Sequence, residues 1–401
     1  MMARIIVVGG SFAGLTAAFE LRRHLSGEHE VTVVSSNSRF VFIPSMPWIV
    51  LGSREEKDVT FDLEPVLKRK GIEFVHDALQ QVDMKESVIY TTSSTMHYDY
   101  LLLATGPALD FDAVPGIGPH GGYSQSVCSL PHSKTARKAW EKFLENPGPV
   151  VIGAAQGASC FGAGYEFLLN IDTYLRKHGL RDKAPVTWVT SEPELGHFGL
   201  GGIGNSAELV KEMLKSRDIQ VFPNHAIKQV TKDIVELDDG TRLPHQYSMI
   251  IPPFKGIDAI FQSPGLGNAK GFIPVTQEYR HPDYSNVFAA GVNVAMAPPE
   301  KTPIPTGVPK TGYMSEHMAK TAAANIVADL THGQPTKLDP TKMKALCLLD
   351  AGDSGVYMVA DPVFPPQTKY SLRAGSWVHG AKIAFEKYFM WKMKNGLTQL
   401  K

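Results

Sequence analysis

The sequence predicts an α/β protein: two Rossmann-like dinucleotide-binding domains followed by a C-terminal amphipathic helical segment that associates with a membrane. Three observations predict it. Ile5-Ile6-Val7-Val8 runs straight into the turn Gly9-Gly10-Ser11-Phe12-Ala13-Gly14 and then into a helical pattern. The same strand, turn and helix order returns at Pro149-Val150-Val151-Ile152. The last helical stretch, Trp377 to Lys394, carries aromatic residues and lysines at helical spacing. A glycine turn between a buried strand and a helix opens a doubly wound nucleotide fold. Aromatics and lysines on one helix suit a membrane interface.

The first helix is read from Leu15, Ala18, Phe19, Leu21 and Leu25, which share a face. Val31 to Val34 is the second strand. The apolar run Phe40 to Pro44 and Pro47 to Val50 is interrupted by prolines, which argue against a regular helix there. Tyr98 to Thr105 reads as a buried strand closing on Gly106-Pro107, and Val186 to Val189 as the second strand of the second unit. Phe288-Ala289-Ala290-Gly291 ends another short strand. A proline-rich loop, Pro298 to Pro309, leads into a helix starting near Thr311. Beyond about residue 340 an irregular segment precedes the final helix. The expected division is 1–110 with 270–335 as the first dinucleotide domain, 111–269 as the second, and 336–401 as the C-terminal segment.

Composition excludes several classes. Forty basic and forty acidic residues balance among 401, so nothing favours nucleic acid. No run of about 18 apolar residues is present, so no helix is expected to span a bilayer. The first strand begins within a few residues of Met1, with no signal peptide expected, so the chain is expected at the cytoplasmic face of the membrane. Three cysteines are too few for a disulfide scaffold. Without further context they read as small buried hydrophobes. No metal site is expected, and a homo-oligomer is compatible with the composition.

Gly9 and Gly14 fill the first and third glycine places of a phosphate-binding turn, with Ser11 in the place of the second and Phe12 and Ala13 between. The second strand ends in Ser35-Ser36-Asn37, so Ser35 or Asn37 replaces the usual ribose-binding acid. Two later segments, ending at Ala104-Thr105-Gly106 and at Gly291, fall where a two-dinucleotide flavoprotein meets FAD. Val292 stands where an aspartate usually follows that last glycine, with Asn293 as its stand-in. FAD is therefore the expected cofactor. The second turn, Gly153-Ala154-Ala155-Gln156-Gly157, has Ala155 at the close-approach position. A nicotinamide is not the expected electron source, although a permissive NADH site is the alternative.

Cys160 lies just past that second turn, Cys347 lies in ALCLLD, and Cys128 lies in YSQSVCSL. A disulfide beside a flavin can accept a sulfur nucleophile, release a thiolate and pass the electron pair on. At YDYLLLATGP, QSVCSLPH, VVIGAAQGASCFG, SEPELGHFG, IPTGVPKTGYM and WVHGAKIAFEKYF the sequence resembles the sulfide:quinone oxidoreductases over nearly the whole chain. The resemblance implies oxidation of sulfide to sulfane sulfur or polysulfide, with electrons passed through FAD to a membrane quinone. It implies Cys160 and Cys347 at the flavin, Cys128 as the third cysteine, and His132 and His197 in proton handling. Lys310, Thr311 and Gly312 fall on the flavin side. Glu166 reads as a base or, equally, as a solvated or capping carboxylate. Phe42, Pro44 and Phe385 match quinone-site positions, and Lys382 is suited to a quinone oxygen. Core packing is the other reading of the two phenylalanines. Trp377, Ala381, Ala384, Phe385, Tyr388 and Trp391, with Lys382, Lys387, Lys392 and Lys394, make the expected membrane-facing helix. A type II NADH:quinone oxidoreductase and a non-catalytic flavin-binding protein are the competing functions.

Overall fold

A computed structural model describes residues 2–399. In chain order the elements that matter for the site are β1 (Arg4–Val8), α1 (Phe12–His24), β2 (Glu30–Ser35), α2 (Met46–Val50), β3 (Glu73–His76) and β4 (Tyr100–Leu103). Then come α3 (Leu130–Glu145), β5 (Val150–Ala154), α4 (Phe161–Lys177), β6 (Val186–Thr190), β7 (Gln220–Pro223), β8 (Tyr247–Ile251) and β9 (Val287–Ala289). The chain closes with α5 (Gly312–Thr331), β10 (Ala345–Asp350), β11 (Gly355–Asp361), β12 (Lys369–Ala374) and α6 (Trp377–Lys394).

Two parallel sheets organise the chain. The first has the order β9-β4-β1-β2-β3. The second has the order β7-β6-β5-β8. Strands buried on both faces are continuous apolar runs; Ile5, Val7, Val33, Leu102 and Phe288 are all fully buried. The first sheet reverses direction of growth at β1, with β2 on one side and β4 on the other. Ligands of open α/β sheets sit beyond the carboxyl ends of the strands at such a point. The turns after β1, β4 and β9 all lie at that edge, so three segments distant in sequence meet there. α1 packs along α5, with the small residues Ala17, Ala18, Ala319, Ala322 and Ala323 buried.

Three local expectations need correction. The apolar run near residue 45 does form a helix, α2, because Pro47 sits in its first turn, where a missing N–H costs nothing. The segment after 340 is not irregular: β10, β11 and β12 form an antiparallel sheet in which Cys347 faces Met358 in register. Alternation in Tyr357 to Asp361 is masked by apolar residues on both faces, which hid the strands. The expected lysine face of α6 is also split, because Lys382 and Lys392 are buried against Glu166 and Glu316.

One buried charge staples the second unit. Asp172 on α4 is fully buried and accepts from Arg176 Nε at 2.9 Å, Arg181 Nε at 2.8 Å and Arg217 Nη1 at 3.0 Å. Truncating one partner of a buried charge cluster leaves the others uncompensated. Asp172→Ala is expected to cost about 3–5 kcal/mol, read as a lower urea midpoint, with Asp172→Asn in between.

Candidate active site

The first glycine turn is built for a pyrophosphate. Gly9 has φ +122°, and a Cβ there would lie 2.1 Å from the Ala104 carbonyl oxygen. A Cβ on Gly14 would lie 1.8 Å from the Gly9 oxygen. Only glycine lets the turn close against β4 and α1 this tightly. Ser11 is the N-cap of α1 but makes no side-chain cap bond, and the first turn carries no acid. The helix N-terminus therefore presents free N–H groups and a partial positive charge. Across the crevice, Gly291 lies against Ala13. Asn293 is buried: its Nδ2 donates to the Leu103 oxygen at 3.0 Å, while its Oδ1 has no partner. A polar group arriving at this edge meets an acceptor already in place. Ser35 ends β2, with its Oγ accepting from the Asn37 N–H at 3.2 Å, and Asn37 is exposed. Thr105 and Gly106 follow β4, and Thr311 caps α5 just before Gly312. The tight turn after β1, the unpartnered Asn293 Oδ1 and the segments that follow β2 and β4 or cap α5 have a chemistry that fits a dinucleotide.

The second turn is different. Its N–H groups are taken by the protein itself. Gly157 donates to the Pro305 oxygen at 2.6 Å, Ala155 to the Ile251 oxygen at 3.0 Å, and Gly307 donates to the Ala158 oxygen at 2.8 Å. Gln156 pairs through both ends of its amide with the Ile227 backbone. The proline-rich segment around 302–307 therefore straps the turn. The acid after β6, Glu192, is fully buried and accepts from Tyr165 Oη at 2.8 Å, Thr190 Oγ1 at 2.8 Å and the Phe198 N–H at 2.7 Å. Burial pushes its carboxyl up to about 7. It faces inward, with its oxygens engaged by the protein. The poor cradle read from Ala155 has its physical counterpart in this strap and this inward-facing acid.

The cysteines sit where the two units meet. Cys160 caps α4, Cys347 is in β10, and Cys128 precedes α3; all three are half-buried free thiols. Burial raises each: Cys128 to about 11, Cys160 to about 12 and Cys347 to about 11. Cys128 lies near enough to push Cys160 further up, and Cys160 does the same to Cys347. Lys310 ties this cluster to the flavin edge. Its Nζ donates to the Val292 oxygen at 3.1 Å, beside Gly291, and its charge acts on Cys160. Burial lowers the Lys310 ammonium to about 8.

Glu166 projects from α4 and is buried, paired with Lys382 of α6, and also accepts from the Asp350 N–H at 3.3 Å. It is therefore neither solvated nor a cap. Burial outweighs the Lys382 attraction, so its carboxyl is raised above the ordinary range. The charges of Glu166 and Lys382 both reach Cys347. His132 lies in the first turn of α3, four residues after Cys128; burial, then His120, lower its imidazole. Its Nδ1 is buried without a partner. His197 is buried, takes the Gly199 N–H on Nδ1 at 3.2 Å, and meets Glu300 through Nε2 at 2.9 Å. It ties the loop after β6 to the strap.

An aromatic path leads outward from the flavin turn. Phe12 lies 5.9 Å from Phe42 and 4.9 Å from Phe389, ring centre to ring centre. Phe42 lies 6.0 Å from Phe385, which is 38% exposed on α6. Ile43 and Pro44 are exposed close by in sequence. Sequence reasoning missed Phe389, although its spacing of four from Phe385 was the available signal. Trp48, Asp350 and His379 offered no local signal, because only the packing of α2, β10 and α6 brings them together.

Comparison with known proteins agrees with this geometry. A profile of the pyridine nucleotide-disulphide oxidoreductases matches residues 3–321. A sulfide-quinone reductase of Aquifex aeolicus is 39% identical over 99% of this chain and 92% of the relative. The crystal structure of the sulfide:quinone oxidoreductase from that bacterium superposes with a TM-score of 0.94, at 38% identity, covering 99% of this chain and 92% of the other. A type II NADH:quinone oxidoreductase of Staphylococcus aureus is similar at 22% identity over 96% of this chain and 98% of its own.

Proposed function

The chain belongs to the pyridine nucleotide-disulphide oxidoreductases and, within them, to the sulfide-quinone reductases, and on that premise we propose a division of labour for its residues. It is an FAD-dependent enzyme that oxidises sulfide and reduces a quinone. The observation that carries the residue assignment is Lys310, which joins the Gly291 edge to Cys160.

Gly9, Ser11, Phe12, Ala13 and Gly14 hold the pyrophosphate, with Ser35 and Asn37 on the ribose side. Ala104, Thr105, Gly106, Gly291, Lys310, Thr311 and Gly312 line the rest of the cofactor edge. The FAD domain comprises 1–110 with 270–335, the degenerate domain 111–269, and the C-terminal segment the remainder. When bound, FAD supplies a two-electron acceptor for cysteine sulfur and a donor for quinone. Burial keeps the free thiols protonated near neutral pH, so the nucleophile in the first step is the sulfide ion and not an enzyme thiolate. Hydrosulfide attacks Cys160 in a sulfur bridge to Cys347. A bond forms between its sulfur and the Cys160 sulfur, and the bridge opens. The electron pair of the broken bond leaves on Cys347 as thiolate. Burial and then Glu166 oppose that thiolate while Lys382 favours it, so the charge state of the Glu166–Lys382 pair governs how readily it leaves. Cys128 takes or releases growing sulfane sulfur, His132 manages protons beside it, and His197 with Glu300 holds the strap.

Phe42, Pro44 and Phe385 line the quinone entrance, and Lys382 with Glu166 forms its polar end. Exposed Trp377, Phe385 and Trp391, with exposed Lys387 and Lys394, rest on the cytoplasmic face of the membrane. No helix among the described residues is long and apolar enough to cross it. The test is anaerobic addition of sulfide to the purified holoenzyme, with bleaching of the flavin as the expected result. NADH in place of sulfide is expected to reduce quinone at least about 100-fold more slowly, since its cradle is strapped. Brisk NADH turnover without sulfide overturns the reading.

A further inference from the structure

Behind the Glu166–Lys382 pair lies a second set of polar groups that the steps above do not use. Asp350, at the end of β10, is fully buried. Its Oδ2 accepts from Trp48 Nε1 at 2.9 Å, and its Oδ1 meets His379 Nδ1 at 2.7 Å. Its backbone N–H donates to Glu166 Oε2 at 3.3 Å, and its carbonyl accepts from Asn170 Nδ2 at 2.9 Å. Trp48 also serves the pair from its ring: the Lys382 ammonium lies 5.1 Å from its centre and the Arg54 guanidinium 4.6 Å. The His379 side chain is about one-third exposed, so it is the end of this set that meets solvent.

A buried carboxylate needs a compensating charge or several donors. Asp350 has one indole N–H and one imidazole, from α2 and α6. Asp350 and Lys382 of α6 are the charges that face Glu166, and Cys347 of β10 is the thiol beside it. Glu166 therefore feels His379 only through Asp350.

We propose that Asp350, clamped by Trp48 and His379, is a positioning residue that places the Glu166–Lys382 pair beside Cys347 and sets its charge balance. His379 is the part-exposed hydrogen-bond partner through which solvent reaches that balance. The proposal rests on the assignment of Cys347 and Glu166 given above, but its test reads the Glu166 carboxyl itself. Loss of the Asp350 charge stabilises ionised Glu166. Loss of the His379 imidazole takes a hydrogen-bond partner from the Asp350 carboxylate, leaves its charge less screened toward Glu166 and favours the protonated acid.

The experiment is an infrared pH titration of the holoenzyme. It follows the C=O stretch of a buried carboxylic acid, assigned by its disappearance in Glu166→Gln. Asp350→Asn, which keeps a partner for Trp48, is expected to move the midpoint down by on the order of one pH unit. His379→Gln, at a part-exposed site that tolerates change, is expected to move it up. In the double variant the midpoint should equal that of Asp350→Asn alone, because His379 acts only through Asp350. The acid limb of the turnover profile should follow the same order. Shifts in the same direction, no shift in either variant, or a His379 effect that persists in the double variant each overturn the proposal. A failure of sulfide to reduce the flavin, with these shifts intact, would count against the substrate reading and leave this one standing.

Discussion

Cys160→Ala and Cys347→Ala are each expected to abolish sulfide-dependent bleaching of the flavin, a loss of about 1,000-fold or more in the rate of reduction. The size follows from the step proposed for each sulfur. Without Cys160 the bridge that receives sulfide does not exist. Without Cys347 no leaving thiolate carries the electron pair. Neither residue contributes to the first glycine turn, so both variants should retain FAD at wild-type stoichiometry, and dithionite should still bleach it. That control separates lost chemistry from lost fold. Both thiols are half-buried in a packed region, so each truncation also removes a little packing, expected as a modest drop in thermal midpoint. Stopped-flow reduction by sulfide at 450 nm (about the flavin maximum) is the measurement. If either variant bleaches at a rate near wild type, the pair is not the electron path, and sulfide reduces the flavin by a route that bypasses these two sulfurs.

How much of this was legible beforehand depends on whether a signal was local. The glycine turn after β1 and the strands ending at Leu103 and Ala289 announce themselves, because a buried parallel strand and a tight turn each use a few consecutive residues. The bounds of α6 were legible too, from Trp377 through Lys394. What α6 does with its lysines was not. Periodicity gives a face but not a partner, and Lys382 and Lys392 turn inward only because Glu166 and Glu316 wait there from other elements. The antiparallel sheet around Cys347 escaped for a related reason. Leu346 to Leu349 is apolar on every position, so the period of two that marks a half-buried strand is absent. The strapped second turn was half legible. Ala155 signalled a poor cradle, while Gln156 on Ile227 and the inward-facing Glu192 are tertiary facts.

Lys382→Met is expected to cost about 3–5 kcal/mol at neutral to alkaline pH, because it strands a buried carboxylate. The pH dependence has a definite sign. Burial already raises the Glu166 carboxyl, and removing its ammonium raises it further. An acid whose folded value lies above its unfolded value weakens the fold as pH rises through that window. The deficit of Lys382→Met should therefore be largest on the alkaline side and shrink as the solution is acidified toward the ordinary carboxylate range. Adding Glu166→Gln removes the stranded charge. Replacing both members of a buried pair is often close to neutral, so the double variant should recover most of the lost stability. Activity should not return with it. Both groups act on Cys347 and are proposed as the polar end of the quinone site, so turnover in the double variant should stay at least about 100-fold down while its urea midpoint approaches wild type. Parallel recovery of both quantities would mean that the pair serves only the fold. A Lys382→Met variant as stable as wild type at pH 8 would mean that Glu166 is neutral before the change, and that the ammonium has some other partner in the working enzyme.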